Sequence, residues 1–219
     1  MKCLLASFSR LLAAATLTAS VSTVLAIPVW INEIHYDNAG ADAGEFVEIA
    51  GSSGTSLSGY TLLFYNGNGG TTYKSVALSG AIDDESNGFG TLSFSISGIQ
   101  NGDPDGLALI DSANTVLQFL SYEGSFTATN GAADTMTSID IGVSEPASSP
   151  ASQSLQLTGS GSEYSDFTWT GPSAESPGTI NVDQSFVGKT VPDSGSSAFL
   201  LLLGISGLTL VTRKRRSLS

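Results

Sequence analysis

From residue 28 to residue 186, runs rich in β-branched and aromatic residues are broken at intervals of about ten residues by clusters of Gly, Asn, Asp and Ser. Punctuation at that spacing leaves no room for a long helix and reads as an all-β body of short strands. The runs predict strands at 29–35, 45–50, 60–65, 73–78, 92–97, 107–111, 116–121 and 167–169, with weaker candidates at 137–141 and 154–157. Between them, Asn66-Gly67-Asn68-Gly69-Gly70, Asn87-Gly88 and Asp111-Ser112-Ala113-Asn114 have the chemistry of tight reversals. Alternation along the runs places Trp30, Ile34, Phe46, Ile49, Leu62, Phe64, Leu107, Leu109, Val116 and Phe119 in one core, as two antiparallel sheets packed face to face require. A closed barrel shares this short-strand pattern.

The two ends of the 219-residue chain differ from this body. Lys2 and Arg10 precede an apolar stretch, and Val24-Leu25-Ala26 has the small residues of a signal-peptidase site, so residues 1–26 read as a signal peptide cleaved after Ala26. The single cysteine, Cys3, falls within that segment and staples nothing in the mature protein. Near the other end, residues 198–212 are apolar except for Ser206, Thr209 and Thr212 and are followed by Arg213-Lys214-Arg215-Arg216. Fifteen residues of helix span only about 22 Å, a short membrane crossing. The basic cluster holds residues 213–219 on the cytoplasmic side and places the body, residues 27–187, outside.

Before the apolar stretch, the linker 188–197 contains Val191, Pro192, Asp193, Ser194 and Gly195. Motif, short apolar segment and basic end, in that order, resemble the VPDSG-CTERM sorting signal, a variant of the PEP-CTERM tails of bacteria with two membranes. The resemblance implies that an exosortase-type membrane protease removes the tail near residues 191–195 and that the body reaches the cell surface or the exopolysaccharide layer. A membrane-anchored precursor, with signal peptidase and the exosortase-type protease as processing partners, is the corresponding expectation.

Within the body, INEIHYDNAGADAGEFVEIAG at 31–51 is similar to the opening of bacterial lamin-tail-like domains. NGDPDGLALID at 101–111, VLQFLSYEG at 116–124 and SLQLTGSGSEYSDFTW at 154–169 share that similarity. It implies a compact, immunoglobulin-like antiparallel β-sandwich that commonly accompanies secreted enzymes as an accessory module, and it names no ligand.

The chain has one histidine and 20 acidic residues against 8 Lys and Arg, for a net charge of −12. All the acids lie between Glu33 and Asp193, where Lys74 and Lys189 are the only basic residues, so direct nucleic-acid binding is disfavoured. The segment from His35 to Glu48 is dense in oxygen ligands, and Asp37, Asn38, Asp42 and Glu45 are the candidate calcium ligands. Turn bonds by Asp37 and Asn38, with Glu45 and Glu48 on a strand, are the competing reading. Asp103, Asp105 and Asp111 have turn chemistry, and Asp83-Asp84-Glu85 reads as a solvated loop.

Catalysis would have to be built on His35. No G-x-S-x-G elbow accompanies it, and zinc would need several His or Cys ligands. The expectation is therefore a non-enzymatic surface module engaged in adhesion or in association with exopolysaccharide or other surface proteins. The alternative is a small secreted hydrolase, or a nuclease-associated accessory domain, using a divalent cation.

Overall fold

The computed structural model describes residues 28–188; the signal peptide, the sorting motif Val191 to Gly195, the apolar segment and the basic end all lie outside the described residues. Within them the fold is all-β, with one short 3-10 turn at Tyr164–Asp166. The strands are β1 (Val29–His35), β2 (Phe46–Ser52), β3 (Thr61–Asn66), β4 (Thr71–Ala77), β5 (Phe89–Ser95), β6 (Asp105–Ile110), β7 (Val116–Tyr122), β8 (Ile139–Asp140), β9 (Gln153–Gly161), β10 (Phe167–Ala174) and β11 (Gln184–Phe186). The described residues contain no helix long and apolar enough to cross a membrane.

One sheet has the order β10-β9-β1-β2-β5, with β11 added alongside β9; the other has the order β4-β3-β6-β7-β8. This is a β-sandwich, with one correction to the antiparallel expectation. β11 pairs with β9, and β8 with β7, in parallel. Each of these short strands returns after a long connection, which a parallel neighbour requires and a tight hairpin cannot supply.

Register explains how the core is filled. Ile31, Ile49 and Leu92 are aligned across β1, β2 and β5, as are Ile34, Val47 and Phe94. In the second sheet Leu62 aligns with Leu109, and Phe64 with Leu107 and Leu120. These side chains belong to one continuous apolar cluster that closes the sandwich. At one end of it, where the later strands return over the start of β1 and β5, Trp30 packs against Phe89, Phe167 and Phe186 with ring centroids 6.0 to 6.4 Å apart.

Three of the expected core residues lie elsewhere. Phe119 and Val116 alternate to the opposite face of β7, where Tyr65, Ala108, Ile110, Phe126, Ala128 and Ala133 form a second buried cluster. Residues 126–138 supply its cover: Ala133 donates its backbone N–H to the Tyr65 hydroxyl at 3.1 Å, and Thr129 N–H bonds Gly70 O at 2.8 Å. Both faces of this sheet are thus covered, so strict alternation no longer separates inside from outside. Phe46 is buried, but it pairs across the sheet with His35 rather than with the apolar rows.

The chain enters and leaves at the same pole. Val29 opposes Gly51, which opposes Gly90, and the Asn87 Nδ2 donates to Phe186 O at 2.7 Å on the way out. β1 runs from there to His35, roughly 20 Å away at the rise of a strand. The loops around His35 therefore stand at the pole farthest from the exit.

Candidate functional site

At that distal pole, His35 extends β1 into a polar knot. Its Nδ1 lies 2.8 Å from Glu145 Oε1, and its Nε2 lies 3.2 Å from the Ala43 carbonyl oxygen. Both neighbours are acceptors, so a ring that donates to each must carry two protons. Both side chains of the pair are fully buried. Burial works against the charged ring, and the hydrogen bond and charge of Glu145, with the Ala43 carbonyl, outweigh it, leaving the histidine above its ordinary pKa.

Glu145 also accepts the backbone N–H groups of Tyr36 at 2.6 Å and Asp37 at 2.9 Å through Oε2, while its own N–H donates to the Tyr36 hydroxyl at 2.8 Å. One carboxylate thereby fixes the exit of β1 to a loop 110 residues later. Tyr36 stacks on Tyr122 at 3.8 Å between centroids. The knot keeps the sole histidine out of reach of solvent.

The four candidate calcium ligands are brought to the same pole, but they have different partners. Glu45 accepts the backbone N–H of Ile99 through Oε1 and that of Gly98 through Oε2, each at 2.6 Å. Asn38 closes its own loop: Oδ1 accepts Ala43 N–H at 2.9 Å, and Nδ2 donates to the carbonyls of Ala39 and Ala41. Asp37 is buried and Asp42 is exposed. Burial raises the Asp37 carboxyl above its ordinary range, the charge of Asp42 adds to the effect, and a hydrogen bond from Asn101 opposes it. Glu123 is raised in the same way by burial and by Asp103, Asp37 and Asp105, against the Tyr36 hydroxyl. Among the described residues no group of three or more His, Cys, Asp and Glu is placed to hold a metal ion.

Asp105 and Asp111 act as turn residues. Asp105 accepts the N–H groups of Gly67 and Gly102, and Asp111 those of Ala113 and Thr115. Glu85 departs from the expectation of a purely solvated loop: although exposed, it accepts from Thr91 N–H at 2.7 Å and Ile180 N–H at 2.9 Å. Lys74, the only Lys or Arg among the described residues, donates to the carbonyl of Ser97.

A second polar group was not singled out by the sequence. Gln156, Glu33, Glu48 and Ser93 align across β9, β1, β2 and β5, and residues 175–181 lie over them. A bulge between Ile31 and Glu33 shifts the register there and lets Asn32 reach Glu48 Oε1 at 3.0 Å. Burial, reinforced by the charges of Glu33 and Glu85 and opposed by Asn32 and Gly178, pushes Glu48 up to about 8.

Beyond the described residues, residues 190–215 match the VPDSG-CTERM motif. It is a sorting signal. The match covers the tail and leaves the body unassigned, so the lamin-tail-like similarity has no counterpart among the matched families. No curated protein and no solved structure matches the chain. Together the motif and the sandwich make this an exported, sorted β-sandwich protein.

Proposed function

We propose that the chain is a non-enzymatic surface module: the sandwich is carried across the membrane, held there as a precursor by its C-terminal end, and released to the cell surface when an exosortase-type protease cuts near Val191 to Gly195. The observation that carries this reading is the sorting motif at 190–215, two residues after the end of the described fold at Gly188. Because β11 exits at the pole opposite His35, a chain tethered through its tail presents the acidic loops around Asp37, Asp42, Asp103 and Glu123 away from the tether. Adhesion to exopolysaccharide or to other surface proteins is the role we assign to that face, in keeping with the accessory role of lamin-tail-like domains. The buried, doubly bonded His35 supports binding over hydrolysis, since a general base must reach a substrate proton.

Replacing Val191 to Gly195 with alanines in the native host tests the reading. The wild-type body should appear in the surface fraction with an intact mass lacking both ends, and the variant should stay in the membrane fraction with its tail. A surface form that retains residues 196–219, or a variant sorted like the wild type, would overturn it.

A further inference from the structure

Past Glu175, whose N–H still bonds Ser152 O at 3.0 Å, the stretch between β10 and β11 is held to the sheet by carboxyl groups and not by strand pairing. Ser176, Gly178 and Ile180, at alternate positions, donate their backbone N–H groups to Glu33 at 2.9 Å, Glu48 at 2.6 Å and Glu85 at 2.9 Å. Side chains join this ladder. Asn181 Nδ2 donates to the carbonyls of Asn32 at 3.1 Å and Leu157 at 3.0 Å, so its Oδ1 is left to accept. The group placed to satisfy it is the Ser176 hydroxyl, 3.0 Å away.

That hydroxyl also lies 3.1 Å from Glu33 Oε2, and it has a single proton to give. If Glu33 is ionised, Ser176 can serve either Glu33 or Asn181, and the other is left short of a donor in a buried place. If Glu33 carries a proton on Oε2, the chain Glu33 to Ser176 to Asn181 to the two carbonyls is complete. Glu33 Oε1 is already supplied by Ser154, Gln156 and Ser176 N–H.

We propose that residues 175–181 form a proton-latched strap, closed over the sheet while Glu33 and Glu48 are protonated and lifted when they ionise. The charged groups around it do not oppose this. β1 contributes Glu33 and the already paired His35, β2 contributes Glu48, the connection into β5 contributes Glu85 with Asp83 and Asp84 beyond it, the strap contributes Glu175, and Asp183 precedes β11. β5, β9 and β10 contribute neutral side chains, and Lys74, on β4 of the other sheet, is engaged by the carbonyl of Ser97. Glu33 and Glu48 are both raised, chiefly by burial, so lifting the strap and admitting water favours their ionised forms. The strap stands in the stretch of chain that leads to residues 190–215, and its opening would leave β11 as the last attachment of that stretch. This consequence rests on the sorting reading, whereas the strap itself does not.

Hydrogen exchange of the purified full chain in mild detergent, corrected for intrinsic rates, tests the strap. With Glu48 moving from about 8 when covered to 4.5 in water, the opening constant of 175–181 should rise about 70-fold between pH 6 and pH 8.5, while β1 and β9 keep their protection. The double variant Glu33→Gln, Glu48→Gln, whose amides imitate protonated acids, should hold the strap equally at both pH values. Equal strap protection in the wild type at pH 6 and 8.5, loss shared equally with β1 and β9, or undiminished pH dependence in the double variant would each overturn the proposal. The wild-type series decides by itself if the variant does not fold, and exchange in the purified chain is independent of whether the tail is sorted.

Discussion

Changing Glu145 to Gln probes the buried pair most directly. The glutamate accepts three bonds: from His35 Nδ1, from Tyr36 N–H and from Asp37 N–H. A glutamine that turns its oxygen toward the two backbone donors presents its NH2 to His35. A neutral ring satisfies that arrangement, with Nδ1 accepting and Nε2–H donating to Ala43 O. A protonated ring does not, because two N–H donors then face one carbonyl and one amide NH2. In the wild type His35 lies above its ordinary pKa, so its contribution to stability is complete below the unfolded value and is lost as pH rises through the folded one. The cost of the variant must therefore be largest in acid. Breaking a buried pair costs about 3–5 kcal/mol, which sets the expectation at pH 5. At pH 8.5 only the charge assistance of the backbone bonds is lost, about 1 kcal/mol. Urea unfolding followed by the fluorescence of Trp30 and Trp169 reads both values; at a slope near 2 kcal/mol per molar, the midpoint should fall by about 2 M at pH 5 and about 0.5 M at pH 8.5. Equal losses at the two pH values, or a larger loss in base, would refute the assignment of a doubly protonated ring.

Glu45→Gln should cost about 2 kcal/mol in thermal unfolding by weakening the bonds from Gly98 and Ile99, and the cost should be the same in EDTA and in calcium; a cost seen only with calcium would return Glu45 to the role of metal ligand. Phe186→Ala removes a ring stacked 5.2 Å from Phe89 and should destabilise the sandwich by about 3–5 kcal/mol, with a red shift of Trp30 emission in the native state; an unchanged midpoint would show that β11 does not close the core. Gly70→Ala places a Cβ 2.1 Å from Thr127 O at a φ of +68°, so the melting temperature should drop by several degrees as the cover of the second cluster shifts; a neutral result would refute that packing.

The strands were legible because alternation and turn chemistry are local. β1 falls on residues 29–35 as read, and most others are displaced by one to three residues. β11 escaped because Gln184-Ser185-Phe186 is too short to show a period, and its place depends on β9, already folded, as a template. Phe119 and Val116 were given to the wrong face because nothing in β7 announces that residues 126–138 will cover its far side.

The distal site was legible in its composition but not in its bonding. Asp37, Asn38, Asp42 and Glu45 look like a ligand set in sequence, whereas the amides that engage Glu45 lie more than 50 residues away. Glu48 reads only as a residue of a strand and Glu33 carries no signal of its own, and the return of residues 175–181 covers them both. Glu145 had no local signal at all, since its role is defined by the end of β1.

The near absence of cations from the fold also bears on its survival outside a cell. Enzymes that cut after lysine or arginine meet one such bond between residues 28 and 188, and it follows Lys74 in β4, hydrogen-bonded along its length to β3. To that class of protease the folded body offers a single, strand-locked site, whereas the basic end at 213–216 offers four in succession.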